Sequence, residues 1–564
     1  MVVQALKRLA AAVTLVLLLT ASPAAAAEIG PRLTEQQAVE RVLEAPKVVA
    51  WLDRYAEKPT TRATFENLTG TWLVHVDTER AGEVARGVVE DATGAVRETW
   101  TGPQVAWRMA RGRPGAFGGR ILNWWPVWLA LSFVFVAGLV NWAKPLSLRS
   151  LDLLALTSFG ISLFFFNRGQ VFTSVPLAYP PLLYLSARLA WLGLRGRRVP
   201  KAERVLPVWL LAAVALFMVG FRVGLNVTSP RGVIDVGYAG VIGADRILDG
   251  QAPYGNMPQE AGLEPCGKAD SEGRTRDRIQ TNGRCESSNT HGDTYGPATY
   301  LAYVPAVLAF GWSGKWDSLP AAHATSIALD LIVFGLLFLV GRRLGGSRLG
   351  AILVFAWATY PFTAYGLRAN TNDALMPALL LGGFLALHSG WARGASVAAA
   401  GWAKFASFAV VPVWLGYPTP FSRRQLVRFA AAFTVVSAAM LSMLLLEPAL
   451  GRALRTFWDS TIGFQLERES PFSLWGWGQY HAAGIPDLAG VQRLLQAAVG
   501  AFALSLAFLP RLKGPIRLAA LTAAMLFAVQ AVLDHWFYLY LPWALPFAVL
   551  ALVGPVAGAD RRDR

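Results

Sequence analysis

Asp235 heads the only long polar segment that lies between apolar stretches, residues 227–297, in the run Pro230-Arg231-Gly232-Val233-Ile234-Asp235-Val236-Gly237-Tyr238. A carboxylate placed directly after an apolar stretch can take a proton from a hydroxyl group. With the helical-looking Val236–Leu248 behind it, the same aspartate also suits a helix N-cap. Lys404 interrupts the apolar run Ala398 to Val413. A charge at such a place marks a functional site or snorkels to the nearest interface. Arg468 lies in Glu467-Arg468-Glu469-Ser470-Pro471-Phe472-Ser473-Leu474-Trp475-Gly476-Trp477. There it can hold a phosphate while tryptophans stack on a sugar, or those tryptophans form an interfacial belt. Arg368, Asn370, Asn372 and Asp373 crowd one turn, which a solvated loop also explains. Asp534–His535 and His291 with Asp293 are two more polar groupings, and Asp330 sits inside an apolar stretch, where another buried polar group could pair with it.

The elements that must position these groups are apolar. The 564 residues are 54% hydrophobic, with mean hydropathy +0.40. Repeated long apolar runs identify an all-α polytopic membrane protein. Candidate spans fall at 120–142, 150–167, 176–194, 205–226, 320–341, 349–367, 374–392, 426–446, 490–509, 516–533 and 536–555, about 11 in all. The net charge of +16 comes from arginine clusters between apolar runs, the pattern of cytoplasmic loops and not of nucleic-acid binding. Arg195, Arg197, Arg198, Lys201 and Arg204 precede the fourth span, so the 227–297 loop is expected outside the cytoplasm. The same rule makes Ala298–Trp312 a helix at the outer surface and 395–417 a re-entrant pair entered from the cytoplasm. The turn 368–373, the loop 447–489 and the turn 534–536 then share the outer side with Asp235.

At the N-terminus, Lys7 and Arg8, the apolar Leu9 to Ala21 and the small residues Ser22 to Ala27 read as a signal peptide, with an uncleaved anchor as the alternative. Residues 34–57 read as helix, with Thr34 and Gln37 spaced as a capping box. Strand-like runs follow at Arg62–Asp77 and Gly82–Thr101, with a turn at Asp91–Gly94. Cys266 and Cys285 are the only cysteines, and both fall in the outer loop. They are expected to pair, closing a loop of roughly 20 residues worth about 3 kcal/mol.

An enzyme outside the membrane has no nucleotide donor. For group transfer an activated group must arrive in the lipid, for example as a sugar on a polyprenyl phosphate. Such chemistry needs a carboxylate base and cations for the departing phosphate. The metal-holding Asp-X-Asp pattern of nucleotide-sugar enzymes is absent from the sequence. No metal and no cofactor are expected, the lipid-linked sugar donor serving as co-substrate.

Several motifs in order resemble the GT-C superfamily of membrane glycosyltransferases, in particular the polyprenyl-phosphate-mannose-dependent mannosyltransferases of the GT87/DUF2029 group. These are Val233-Ile234-Asp235-Val236, Leu248-Asp249-Gly250-Gln251-Ala252-Pro253-Tyr254, Thr294-Tyr295-Gly296-Pro297, Asn372-Asp373-Ala374-Leu375, Ala403-Lys404-Phe405 and Arg468-Glu469-Ser470-Pro471-Phe472-Ser473-Leu474-Trp475-Gly476. The resemblance covers about 205–555 of the chain. It implies an inverting transfer with Asp235 as general base. The substrate-binding set expected around that base is Lys404, Arg468, Arg368, Asp373, His535, His291 and Tyr254. The implied partners are a polyprenyl-phosphate sugar, a glycolipid or polysaccharide acceptor and the bilayer, with no nucleic acid.

Residues of the N-terminal runs, Thr71–Asp77 and Val89–Val96, resemble a PepSY-type domain, which would be a binding or regulatory module. The expected order is signal peptide 1–27, extracytoplasmic α+β domain 28–118, three additional transmembrane helices 119–204, GT-C-like catalytic domain 205–556 and cytoplasmic tail 557–564. A transporter or flippase of a lipid-linked precursor is the alternative function, although no internal repeat of the transporter kind is visible.

Overall fold

The computed structural model describes residues 30–67, 69–112, 119–196, 205–269, 275–417 and 422–554. The signal peptide, the basic segment 197–204 and the tail 557–564 lie outside the described residues. The chain divides into two compact units, Met1–Val105 and Ala106–Arg564.

In the first unit, the expected 34–57 helix is two helices, α1 (Glu35–Leu43) and α2 (Pro46–Leu52). Pro46 has no N–H to continue a helix but suits a first turn, so the chain restarts there. Thr34 caps α1 reciprocally with Gln37, at 3.2 and 2.9 Å. The first strand-like run is a hairpin and not a single strand, while the second turns at Asp91–Gly94 as expected. The sheet is an antiparallel meander, β1 (Thr60–Glu66), β2 (Thr71–Thr78), β3 (Gly82–Glu90) and β4 (Val96–Thr101), in the order β1-β2-β3-β4. The first reversal closes where Gly70 N–H donates to Glu66 O at 2.9 Å. Alternation in β2 and β3 turns Trp72, Val74, Val76, Ala85 and Val89 onto Ala38, Val42 and Val48.

The second unit is helical. Among the described residues, four of its helices are long and apolar enough to cross a membrane: Leu148–Phe166, Val208–Val227, Pro320–Thr359 and Arg423–Leu446. Large apolar side chains face outward, among them Phe133 (73% exposed), Leu216 (76%) and Phe508 (81%). Such a surface needs lipid around it, so the unit is built as a membrane protein. Its first helices are α3 (Trp125–Leu139), α4 (Leu148–Phe166), α5 (Val171–Arg195) and α6 (Val208–Val227). After α6 come α7 (Asp235–Leu248), the small hairpin β5 (Asp277–Ile279) and β6 (Cys285–Ser287), and α8 (Pro297–Phe310).

The next helix, α9 (Pro320–Thr359), is a hairpin. The chain reverses at Gly345 and Gly346, where Gly346 has φ +76°. Asp330 on one arm then meets Trp357 on the other, Nε1 to Oδ1 at 2.7 Å. Arg222 of α6 pairs with the same carboxylate at 2.7 Å, and both charged side chains are buried.

The expected span 374–392 is shorter in the structure. After α10 (Pro361–Arg368), α11 runs only from Leu375 to Leu385, and α12 (Gly390–Ala403) starts after a turn. The Ser389 hydroxyl accepts the Ala392 N–H at 3.2 Å and so caps α12 there. Then α12 runs parallel to α13 (Arg423–Leu441). Gly390 N–H meets Gln425 Oε1 at 2.6 Å near one end, and Trp402 Nε1 meets Ser437 Oγ at 2.8 Å near the other. Between them the chain turns back through a 3₁₀ segment, Phe405–Val410, and the short helix Val411–Leu415. Segment 390–415 therefore rises and returns, with Lys404 at its apex. The longer helices that follow are α14 (Leu450–Trp458), α15 (Ala489–Ser505), α16 (Pro515–Gln530) and α17 (Leu541–Val553).

Candidate active site

Asp235 is the first residue of α7, not its N-cap; Ile234 holds that position without a side-chain cap. Polar ties fix the start of α7. Ile234 N–H donates to Ala369 O at 3.3 Å, and Asn370 Nδ2 donates to Gly232 O at 3.4 Å. Asn370 adopts φ +54°, a region that asparagine tolerates better than most residues. Its Oδ1 accepts from Asn226 Nδ2 at 2.7 Å, which joins α6 to the turn after α10. His323 Nδ1 lies 2.7 Å from Asn226 Oδ1 on the other side. One turn further along α7, Tyr238 donates to Ser287 O at 2.7 Å and stacks on Trp316. A disulfide from Cys285 ties the β5–β6 hairpin that carries Ser287 to Cys266, in the segment before it.

A cavity of about 220 Å³ opens at Asp235. Among the residues lining it are Asp235, Tyr295, Asp373, Lys404, Arg468, Asp534, His535 and Trp543. Four residues from the expected set, Lys404, Arg468, Asp373 and His535, thus converge with Asp235 from separate parts of the chain. Three others lie outside this lining. Tyr254 is buried one layer below, its hydroxyl on Tyr295 O at 3.0 Å. Arg368 bonds Ser229. His291 is exposed and stacks on Phe464, the ring that also lies against Arg468.

Electrostatics differ across the cavity. Asp235 faces the open space of the cavity, yet the protein around that cavity strips the carboxylate of bulk solvent. Burial pushes its pKa up, against the Val236 N–H and the charges of Arg468 and Lys404, which pull it down. Lys404 caps the end of α12 with extended backbone (φ −139°). Its Nζ is 3.3 Å from Asp373 Oδ1, which also accepts from Trp543 Nε1 at 2.9 Å. The ammonium lies over the Tyr295 ring at 5.2 Å.

Arg468 follows α14, a π turn and a short helix, Phe464–Glu467. It lies against the Trp107 and Phe464 rings at 5.3 and 5.5 Å. It makes no ion pair or hydrogen bond among the described residues. His535 shares a 2.8 Å hydrogen bond with Ser470 and packs on Trp107 and Phe472. Burial, aided by the Arg468 charge, pushes its pKa well down, so it stays neutral. Burial also raises Asp534, which accepts from Gln492 at 2.8 Å.

The cavity can therefore do two things at once. A carboxylate with raised basicity can take a proton, and one guanidinium without a carboxylate partner can meet an incoming anion. Sequence reasoning missed Trp107 and Trp543, two of 21 tryptophans with no distinguishing local signal. It also missed the Asn226–Asn370 tie, for which the asparagine-rich turn was the available signal.

Close backbone contact holds the apex. A Cβ on Gly296 would lie 1.9 Å from Trp402 O, two residues before Lys404. Gly296→Ala must push α8 away from the end of α12. The expected result is a stability loss of about 1–3 kcal/mol and a drop in any Lys404-dependent activity. Gly220→Ala, with open space around it, is the matched control. Thermal unfolding of both variants checks this, and equal melting temperatures would contradict the contact.

No protein-family model matches the chain, and no curated protein matches it. Among solved structures it is similar to ArnT from Cupriavidus metallidurans, crystallised with undecaprenyl phosphate bound, at 17% identity and a TM-score of 0.36. The match covers 61% of this chain and 59% of that one, so this chain spans less than two thirds of that protein's length.

Proposed function

We propose that the protein is a membrane glycosyltransferase that moves a mannose-like hexose or a pentose from a polyprenyl-phosphate donor to an envelope glycolipid or polysaccharide, on the outer face of the membrane. One observation carries the reading: Asp235 and the anion-ready Arg468 face the same cavity, with Lys404 beside them. The arginine distribution of the sequence supports the outer-face assignment.

Asp235 accepts the proton of the acceptor hydroxyl as that oxygen attacks the anomeric carbon. The bond from that carbon to the phosphate oxygen breaks, its electrons leave with the polyprenyl phosphate, and configuration inverts. Arg468 meets the charge growing on the phosphate, and Lys404 moves from Asp373 alone to shared contact with it. Neutral His535 and the aromatic wall of Trp107, Tyr295 and Trp543 give the sugar polar and stacking contacts. The N-terminal α+β unit, PepSY-like in sequence, serves as a binding or regulatory module.

The test is transfer by the purified protein in detergent, with radiolabelled polyprenyl-phosphate mannose and a crude envelope glycolipid fraction. Label is expected in a new product. Arg468→Gln should weaken donor use by about tenfold or more, as loss of a charge-assisted hydrogen bond of about 1.5–3 kcal/mol requires. Wild-type protein that transfers no label from any polyprenyl-phosphate hexose or pentose would refute the proposal.

A further inference from the structure

A second cavity lies away from Asp235. It is a groove of about 1170 Å³ between α3 and α4. Its length is walled by Leu129, Phe133, Val136, Leu154, Ile161 and Phe164, and several of these are exposed at its open side. One end is different in chemistry, because Arg111, Asn123, Asn167 and Arg168 gather there. Arg168 is exposed and lies on the Phe164 ring, with no ion pair among the described residues. Asn167 is 8% exposed. It donates to Asn123 at 2.8 Å, but its own Oδ1 has no partner among the described residues. Ser132 Oγ and Trp128 Nε1, also on lining residues, have none either.

The polar end adjoins the reaction cavity through the chain itself. Trp107 and Met109 line that cavity, while Arg111 and Gly112 line the groove. Gly112 lies against the backbone of Asn167–Gly169, so this strip is pinned to the end of α4. Phe166, one residue before Asn167, packs on Phe537 of the cavity wall at 5.3 Å.

We propose that this groove binds an anionic membrane lipid, with its hydrocarbon chains along α3 and α4 and its phosphate at Arg111 and Arg168, and that this lipid is the acceptor presented to Asp235. Charge decides the occupant. An apolar trough open to the bilayer takes acyl chains, and two guanidinium groups at one end favour a headgroup of net negative charge over a zwitterionic one, whose own ammonium they repel. The unpartnered Asn167 Oδ1 takes a headgroup hydroxyl. Cations at two places fit two anionic lipids: Lys404 and Arg468 serve the donor, the groove serves the acceptor. The acceptor role rests on the transfer reading, whereas the binding itself does not.

Binding is read without any reaction, by native mass spectrometry of the full-length protein exchanged against phosphatidylglycerol or phosphatidylcholine. Wild type should retain one phosphatidylglycerol, at least about fivefold in preference to phosphatidylcholine. Arg168→Gln should remove the preference. Thr157→Trp, which fills the trough, should remove retention of both lipids. Equal retention of the two lipids by wild type, or unchanged retention in both variants, overturns the groove whatever Asp235 does. In the transfer assay, Arg168→Gln should raise the KM for the glycolipid acceptor severalfold with kcat kept. A fall in kcat at unchanged KM overturns the acceptor role.

Discussion

Asp235→Asn is expected to lower sugar transfer by about 10²- to 10⁴-fold, the usual contribution of a positioned general base, while leaving the protein at least as stable as wild type at neutral pH. Asparagine keeps the size of the side chain but cannot take the proton. The stability half follows from the direction of the pKa shift. Burial raises Asp235 more than Arg468, Lys404 and the Val236 N–H lower it. A carboxyl raised in the folded state favours folding below its unfolded pKa of about 3.9. That contribution is lost as pH rises through the folded pKa, so at neutral pH the ionised group is a burden that the amide removes. The same shift places the acid limb of the wild-type rate above the ordinary carboxylate range. Rates and melting temperatures of both proteins between pH 4 and pH 8 check all three statements. An Asp235→Asn protein that is both active and less stable would remove Asp235 from its role.

Asp330→Ala should destabilise the fold by about 3–5 kcal/mol, because it leaves the Arg222 guanidinium buried and unpaired. Arg222 is fully enclosed, and its remaining partners are the carbonyls Trp357 O at 2.9 Å and Ala358 O at 3.5 Å. In a lipid setting no water reaches it. Arg222→Met combined with Asp330→Leu should recover most of the loss, since a packed apolar pair of similar volume replaces the ion pair. The pair locks α6 to the α9 hairpin. The end of α6 carries Asn226, which sets the turn that fixes Ile234 and hence Asp235. The single variant should therefore lose activity along with stability. Unfolding of the two singles and the double gives the coupling energy directly. A single-variant loss below about 1 kcal/mol would mean that the guanidinium finds another partner.

Much of the site was legible because charge is rare in apolar sequence. Asp235, Lys404 and Asp330 lie in or beside apolar runs, where a charge has a cost that something must offset; Arg468 sits between two glutamates and was marked instead by the aromatic residues that follow it. The Thr34–Gln37 cap was legible too, since capping is a local contact. The end of α11 was not. Residues 374–392 are apolar on both sides of the reversal, and hydropathy registers no change of direction there.

Residue types along the chain determined that this is a helical, lipid-facing protein with an α+β unit at its start, because burial in lipid or in a sheet follows from local polarity and period. They also nominated the charged residues. Only the tertiary structure decided which of these meet. It brought Asp235 from the start of α7, Lys404 from the apex of a returning segment, Arg468 from the loop after α14, and His535 from the turn after α16 to one cavity. It also paired Asp330 with an arginine 108 residues away and left His291 and Arg368 outside the cavity wall. Such meetings depend on how helix surfaces pack against one another, and no stretch of sequence carries that information alone.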